Sequence, residues 1–376
     1  MSTSLRVTAW SDAARARAAL AGPLPFGKVF ADLMARIQHD AEHGWHDGAI
    51  VPFGPLALSP AAKVLHYGQE IFEGQKAYAW PDGRVALFRP ELNARRLNQS
   101  ARRMVMPEVP EALQLEALEL LVDLVRAWVP RGPGTALYLR PALLGIDPTL
   151  GVAPSASHLY LVLAAPVGGY FQAGAGGIAV RVEEREVRAY PGGVGAAKTG
   201  GNYAAGLRAQ QRAKAAGFDQ VLFLDGREHR LLEEMNGMNV FAVLDGVVCT
   251  PPLGDTVLDG VTRRSLLELA PALGLRAEER ELPLDELVAG LRRGRVSELF
   301  TSGTGAGLTA VSLLGVGEER VPVGPSGPGP VTRLLGEELS GIQQGLRPDR
   351  FGWMREVGAH PVGADAPAPR PRSARA

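Results

Sequence analysis

The side chain with most to say about chemistry is a lysine. Gly192-Gly193-Val194-Gly195-Ala196-Ala197-Lys198-Thr199-Gly200-Gly201-Asn202-Tyr203 surrounds one amine with small residues, in a chain that has only five lysines (Lys28, Lys63, Lys76, Lys198, Lys214). Small residues allow the backbone to approach something closely. A lysine that attacks a carbonyl must be neutral, and burial favours the neutral form. The competing readings are a solvated surface loop and a phosphate-binding P-loop. Against the P-loop, Ala197 stands where a glycine must precede the lysine, and Gly200 and Gly201 would break the helix that the lysine has to open. The segment before it, Arg188-Ala189-Tyr190-Pro191, is also a poor buried strand.

Around this loop the chain reads as alternating helices and strands. Val85 to Phe88 is strand-like, Glu91 to Met106 and Leu115 to Val129 read as helices, and Leu159 to Ala164 as a short buried strand. The stretch 168–177 contains five glycines and no periodicity, as an interdomain linker does. Beyond it, Ile178, Val180 and Val182 alternate as in a half-buried strand. Val221 to Leu224 and Val240 to Leu244 are further strands, Asp245-Gly246 is a hairpin turn, and Val261 to Ala270 is a helix. The expectation is an α+β chain of two domains, 1–167 and 178–363, with a disordered tail at 364–376 rich in Ala, Pro and Arg.

Composition narrows the function. With 40 Lys+Arg against 40 Asp+Glu the chain has no net basic character, so nucleic acid is not an expected partner. No apolar run approaches the ~20 residues needed to cross a bilayer, so no membrane is expected either. A single cysteine, Cys249, excludes disulfides within the chain and cysteine-based metal sites, and fits a cytoplasmic protein. No metal site is expected.

Several segments then carry a resemblance. Lys198-Thr199-Gly200-Gly201-Asn202-Tyr203, followed by Glu233-Glu234-Met235-Asn236-Gly237-Met238-Asn239, resembles the lysine and glutamate motifs of branched-chain aminotransferases, which are fold-type IV pyridoxal-phosphate enzymes. Leu65-His66-Tyr67-Gly68-Gln69, Phe72-Glu73-Gly74-Gln75-Lys76-Ala77-Tyr78, Leu87-Phe88-Arg89-Pro90, Tyr138-Leu139-Arg140-Pro141 and Gly260-Val261-Thr262-Arg263 follow the family order, from about Lys28 to Trp353.

The resemblance implies pyridoxal 5'-phosphate as cofactor, carried by Lys198 as a Schiff base, with amino acids and 2-oxo acids as substrates. Glu234 is implied as partner of the ring nitrogen, with Glu233 the competing register, and Tyr203 as partner of the phenolic oxygen. Arg96, the helix start at Val261 and Thr262, and Thr304 are implied to hold the phosphate. Tyr67, Tyr138 and Arg140 match positions that contact substrate carboxylates, and Phe72 an apolar wall. Gly305 and Ala306 belong to a turn whose backbone binds the α-carboxylate. The segment Thr149-Leu150-Gly151-Val152 is implied to reach the neighbouring subunit's pocket in a homodimer with shared active sites. The implied reaction moves an amino group between L-leucine, L-isoleucine or L-valine and 2-oxoglutarate. D-amino acid transamination and aminodeoxychorismate lysis are the rivals of the same fold. One motif departs: the family's Gly-Thr-Ala-Ala, with a later Thr-Pro-Val, is here Gly303-Thr304-Gly305-Ala306-Gly307-Leu308-Thr309-Ala310-Val311.

Overall fold

The computed structural model describes residues 5–168, 176–325 and 327–358. Most of the expected linker at 168–177 and all of the tail at 364–376 lie outside the described residues. Two sheets organise the chain, one built before residue 168 and completed by a strand near the C-terminal end, the other built after it.

The first sheet runs in the order Arg6–Val7, Gly44–Pro52, Leu33–Asp40, Ser157–Val167, Ala136–Gly145, Gln75–Ala79, Val85–Phe88 and Met354–Glu356, with Glu70–Phe72 also pairing Ala136–Gly145. The strand expected at Leu159 to Ala164 is longer, Ser157–Val167. Both its neighbours pair along it, from Ala136 opposite Val167 to Gly145 opposite His158 on one side and from Ala35 opposite Val162 to Asp40 opposite Ser157 on the other. Ladder hydrogen bonds therefore carry the strand past the apolar run.

In the second sheet the path closes. Leu232–Met235 pairs both Gln220–Leu224 and Met238–Leu244. With Ile178–Glu183, Gly307–Val316 and Val296–Gly303 between them, six strands form a barrel, extended by Val247–Thr250 and Arg276–Glu279. Its interior packs Val180, Leu222, Val240, Leu299 and Leu314, each a side chain worth about 1.5–3 kcal/mol when taken out of water. Asp245 and Gly246 both have positive φ (48° and 78°), as the expected two-residue hairpin turn requires.

Two helices do most to position the site. Pro90–Arg103 starts on a proline, whose missing N–H is no loss at that position. It ends where Val105 turns to φ 53°, three residues short of the expected Met106. Its inner face buries Ala94, Leu97 and Ala101, and also the polar Asn93, Arg96 and Ser100. Val261–Ala272 begins after Gly260 with no side chain capping its first N–H groups. The helix expected at Leu115 to Val129 is shifted: it runs Glu111–Leu124 and then tightens into a single turn at Arg126–Trp128. An apolar cluster joins the two halves, with Tyr78, Phe88 and Tyr138 from one side against Phe241, Phe300, Val261 and Leu266 from the other.

Candidate active site

Beside that seam lies a cavity of about 410 Å³. Lys198, Tyr203, Glu234, Arg96, Val261, Thr262 and Thr304 line it, together with Phe72, Tyr138, Arg140, Gly305 and Ala306. Of the residues expected to hold cofactor or substrate, only Tyr67 is missing from this lining; the competing Glu233 is absent too. Tyr67 ends the short helix Lys63–Tyr67, where Gly68 takes a left-handed conformation, and it stays 44 % exposed. Its hydroxyl instead donates to the carbonyl of Leu150, and the same helix is tied to Gly151 through Lys63. Tyr67 thus packs on the 149–152 loop and not in its own cavity.

The Lys198 ammonium donates to the Tyr203 hydroxyl at 2.6 Å. Burial, reinforced by the nearby Arg96 charge, pushes the lysine pKa down to about 8. Burial pushes the Tyr203 hydroxyl up to about 12. The neighbouring Phe72 ring lies 4.7 Å from the amine. A lysine in this state is a nucleophile and a proton carrier at neutral pH.

The strand Leu232–Met235 separates the two glutamates. Successive side chains point to opposite faces of a strand. Glu234 faces the cavity, while Glu233 accepts a hydrogen bond from the Thr256 hydroxyl at 2.6 Å and does not line it. Glu234 is 2 % exposed and pairs with the equally buried Arg188 at 2.7 Å. It also accepts from the Leu258 N–H (3.1 Å) and from Asn239 Nδ2 (3.3 Å). Burial raises its pKa, and Arg188 opposes that rise. Glu233, with no such cation in contact, is pushed up by burial to about 7.

Arg96 lies at the other end. Its Nε and Nη2 grip the two oxygens of Glu73 at 2.7 Å each, and its Nη1 donates to the Asp259 carbonyl at 2.8 Å. Glu73 is fully buried. Burial works against its charge, but the guanidinium outweighs this and holds its pKa below the ordinary carboxylate value. A guanidinium has five N–H donors, so these three bonds leave two unused on a side chain that lines the cavity. Next to it, the free N–H groups at Val261 and Thr262 form a helix-start anion site. Gly260 lets the chain pass close to Asn239, whose Oδ1 a Cβ there would strike.

The substrate side is a cation over rings. The Arg140 guanidinium lies 4.7 Å from the Phe72 ring centre and donates to the Tyr138 hydroxyl at 2.9 Å, while its buried Nε has no partner. Phe26 packs edge-on against Tyr138 at 4.8 Å and closes this wall. In the Gly303–Gly307 turn the left-handed residue is Gly307, φ 67°. Ser302, whose buried hydroxyl has no partner, also lines the cavity.

Glu73, Arg188, Asn239 and Phe26 thus join the site although sequence reasoning assigned them no role. Glu73 and Asn239 sat inside recognisable motifs, and an arginine beside an apolar-poor glycine loop was the only signal for Arg188. Nothing in the sequence marked Phe26.

Comparison with known proteins agrees with this geometry. The amino-transferase class IV family pattern matches residues 70–314. A branched-chain-amino-acid aminotransferase of Mycolicibacterium smegmatis is 45 % identical over 337 residues, 88 % of this chain and 92 % of that protein. A probable branched-chain-amino-acid aminotransferase of Staphylococcus aureus is 45 % identical over 335 residues, 88 % and 92 % of the two chains. Among solved structures, the Escherichia coli branched-chain amino acid aminotransferase superposes with a TM-score of 0.73 at 29 % identity, covering 87 % of this chain and 99 % of that one. A T.th. branched-chain amino acid aminotransferase complexed with N-(5'-phosphopyridoxyl)-L-glutamate gives 0.72 at 29 % identity, covering 88 % and 100 %. With a buried amine, a buried carboxylate and an anion cradle in one cavity, and these relatives over nearly the whole chain, the protein belongs to the class IV aminotransferases, in their branched-chain-amino-acid aminotransferase family.

Proposed function

We propose that the chain transfers the amino group between L-leucine, L-isoleucine or L-valine and 2-oxoglutarate, with Lys198 as the residue that attaches the cofactor and carries the proton. The carrying observation is the buried Lys198 amine, 2.6 Å from Tyr203 and brought to a pKa of about 8. The cofactor of this family is pyridoxal 5'-phosphate. When bound, it supplies an electron sink that lets a substrate α-carbon lose a proton. The donor set fits such a group: two spare Arg96 N–H donors, the helix start at Val261 and Thr262 and the Thr304 hydroxyl suit a phosphate. Glu234 suits a ring nitrogen, and Tyr203 a phenolic oxygen.

Within this reading each residue has one task. Glu234, paired with Arg188, would face a ring nitrogen and favour its protonated form. Lys198 would take the proton from the substrate α-carbon and carry it. The Gly303–Ala306 turn offers backbone N–H groups to the α-carboxylate. Phe72 and Phe26 surround an aliphatic side chain, and the spare donors of Arg140 receive the γ-carboxylate of the second substrate.

A cytoplasmic homodimer completes the reading. Tyr67, Leu150 and Val152 are 44 %, 63 % and 88 % exposed and adjacent, an apolar group that a partner subunit's cavity would cover. The test is Lys198→Ala, assayed with L-leucine and with D-alanine against the parent. The variant should fold, fail to retain borohydride-trapped cofactor and lose essentially all transamination. In the parent, peptide mapping should place the pyridoxyl group on Lys198. Near-parental turnover by the variant, or a parent faster on D-alanine than on L-leucine, overturns the proposal.

A further inference from the structure

The Pro90–Arg103 helix touches both ends of the cavity. Arg96 stands at the anion cradle. Four residues on, the fully buried Ser100 hydroxyl accepts the backbone N–H of Lys198 at 2.9 Å. Seven residues on from Arg96, Arg103 Nη2 donates to the carbonyls of Gly192 and Gly193, both at 2.9 Å. Positions i, i+4 and i+7 lie along one helix face. These three contacts come from the first half of the chain and end on a loop of the second. The other backbone group of Lys198, its carbonyl, accepts from the Phe72 N–H at 2.9 Å, again from the first half. The main chain of the lysine is therefore held on both sides by the half of the chain that does not contain it.

We infer that Ser100 and Arg103 are positioning residues for the reaction: the helix acts as a ruler that sets the Lys198 amine at a fixed distance from the phosphate cradle. An α-helix rises 1.5 Å per residue and keeps that spacing stiffly. A glycine-rich loop such as 192–201 has no comparable stiffness, since glycine restricts its own backbone least. Without the two contacts the loop remains tethered, but the amine no longer has one preferred place. Neither residue touches the cofactor or substrate space, and neither lines the cavity.

The inference rests on the assignment of Lys198 as the attachment lysine. Its test therefore uses two ligands on cofactor-free protein. Pyridoxamine 5'-phosphate lacks the aldehyde, cannot attach to a lysine and reports on the non-covalent contacts alone. Pyridoxal 5'-phosphate reports through its visible absorbance on the rate of attachment. Ser100→Ala and Arg103→Ala should leave pyridoxamine phosphate affinity within about threefold of the parent, because they lie away from the phosphate contacts. Both should slow attachment, and lower kcat for L-leucine, by about tenfold to a hundredfold, the range expected when a reacting group is misplaced by an ångström. The KM for L-leucine should change little. Arg103→Lys should recover part of the rate, since an ammonium can still donate to the two carbonyls.

Arg103 is exposed, so its variant folds even if Ser100→Ala does not, and it then decides alone. Attachment rates and kcat near parental in the variants refute the inference. So does a fall in pyridoxamine phosphate affinity that parallels the fall in attachment, which would mean that the cradle had collapsed. If mapping the parent finds the pyridoxyl group on a lysine other than Lys198, the assignment itself fails. If the group is on Lys198 and the variants attach it normally, only the ruler fails.

Discussion

The Arg188–Glu234 pair allows a worked perturbation. Both side chains are 2 % exposed and lie 2.7 Å apart, and Arg188 also donates to the Thr256 carbonyl at 2.9 Å. Arg188→Met keeps most of the volume and leaves Glu234 buried without its cation. Breaking one side of a buried pair costs roughly 3–5 kcal/mol. Burial already raises the Glu234 pKa and losing Arg188 raises it further, so the orphaned carboxyl can take up a proton instead of staying charged and unpaired. That places the expected loss at the lower end, about 3 kcal/mol. For 376 residues, an unfolding entropy of about 2.1 cal/mol/K per residue makes this a fall of about 4 °C in the melting temperature. Adding Glu234→Gln removes the second charge, and its amide oxygen can still accept from Leu258 N–H and Asn239. Paired removal of buried charges is close to neutral, so the double variant should recover to within about 1 kcal/mol of the parent. Once the cost of Glu234→Gln alone is included, the coupling energy is at least about 2 kcal/mol in magnitude. Turnover should not recover, because no carboxylate then faces the ring nitrogen. Urea unfolding and thermal melts of cofactor-free protein give the energies, and L-leucine transamination gives the turnover. Additive costs in the double variant, or a loss below about 1 kcal/mol for Arg188→Met, would refute the electrostatic reasoning.

Three other outcomes rest on the same geometry. With Lys198 at a pKa of about 8, attachment of pyridoxal phosphate to cofactor-free protein should rise with pH and level off above about 8. At pH 7.5 about a quarter of such an amine is neutral, against about 0.1 % of an ordinary lysine, so a midpoint near 10 would refute the burial argument. Arg140→Ala should damage the half-reaction with 2-oxoglutarate more than that with L-leucine, as separate single-turnover measurements would show; equal losses contradict a role at the γ-carboxylate. Gly307→Ala places a Cβ at φ 67° and should cost about 1 kcal/mol by thermal melt, whereas a variant as stable as the parent means the turn relaxes.

Much of the site was legible before folding because its chemistry is local. A lysine among small residues, a tyrosine five positions on and a glutamate five before an asparagine each sit within one short segment. A side chain's chemical type does not depend on its distant neighbours. Helices and strands with strong periodicity were legible too, including Val261–Ala272 and Val85–Phe88. What stayed hidden was mostly pairing. Glu73 finds Arg96 across 23 positions, and Ser100 finds Lys198 across 98. No periodicity encodes such separations, because they are fixed by which helix packs on which strand. The register of Glu233 and Glu234 is a similar case. Strand alternation puts them on opposite faces, but only closure of the six-stranded barrel decides which face meets the cavity. Tyr67 carries the same lesson in reverse. Its type matched a carboxylate-binding role, and only the fold shows that it stands beside Leu150 and not in its own chain's cavity. Residue type and local spacing determined the chemistry available to this protein; the long-range packing of its two sheets decided which groups hold one another in place, since only that packing removes them from water together.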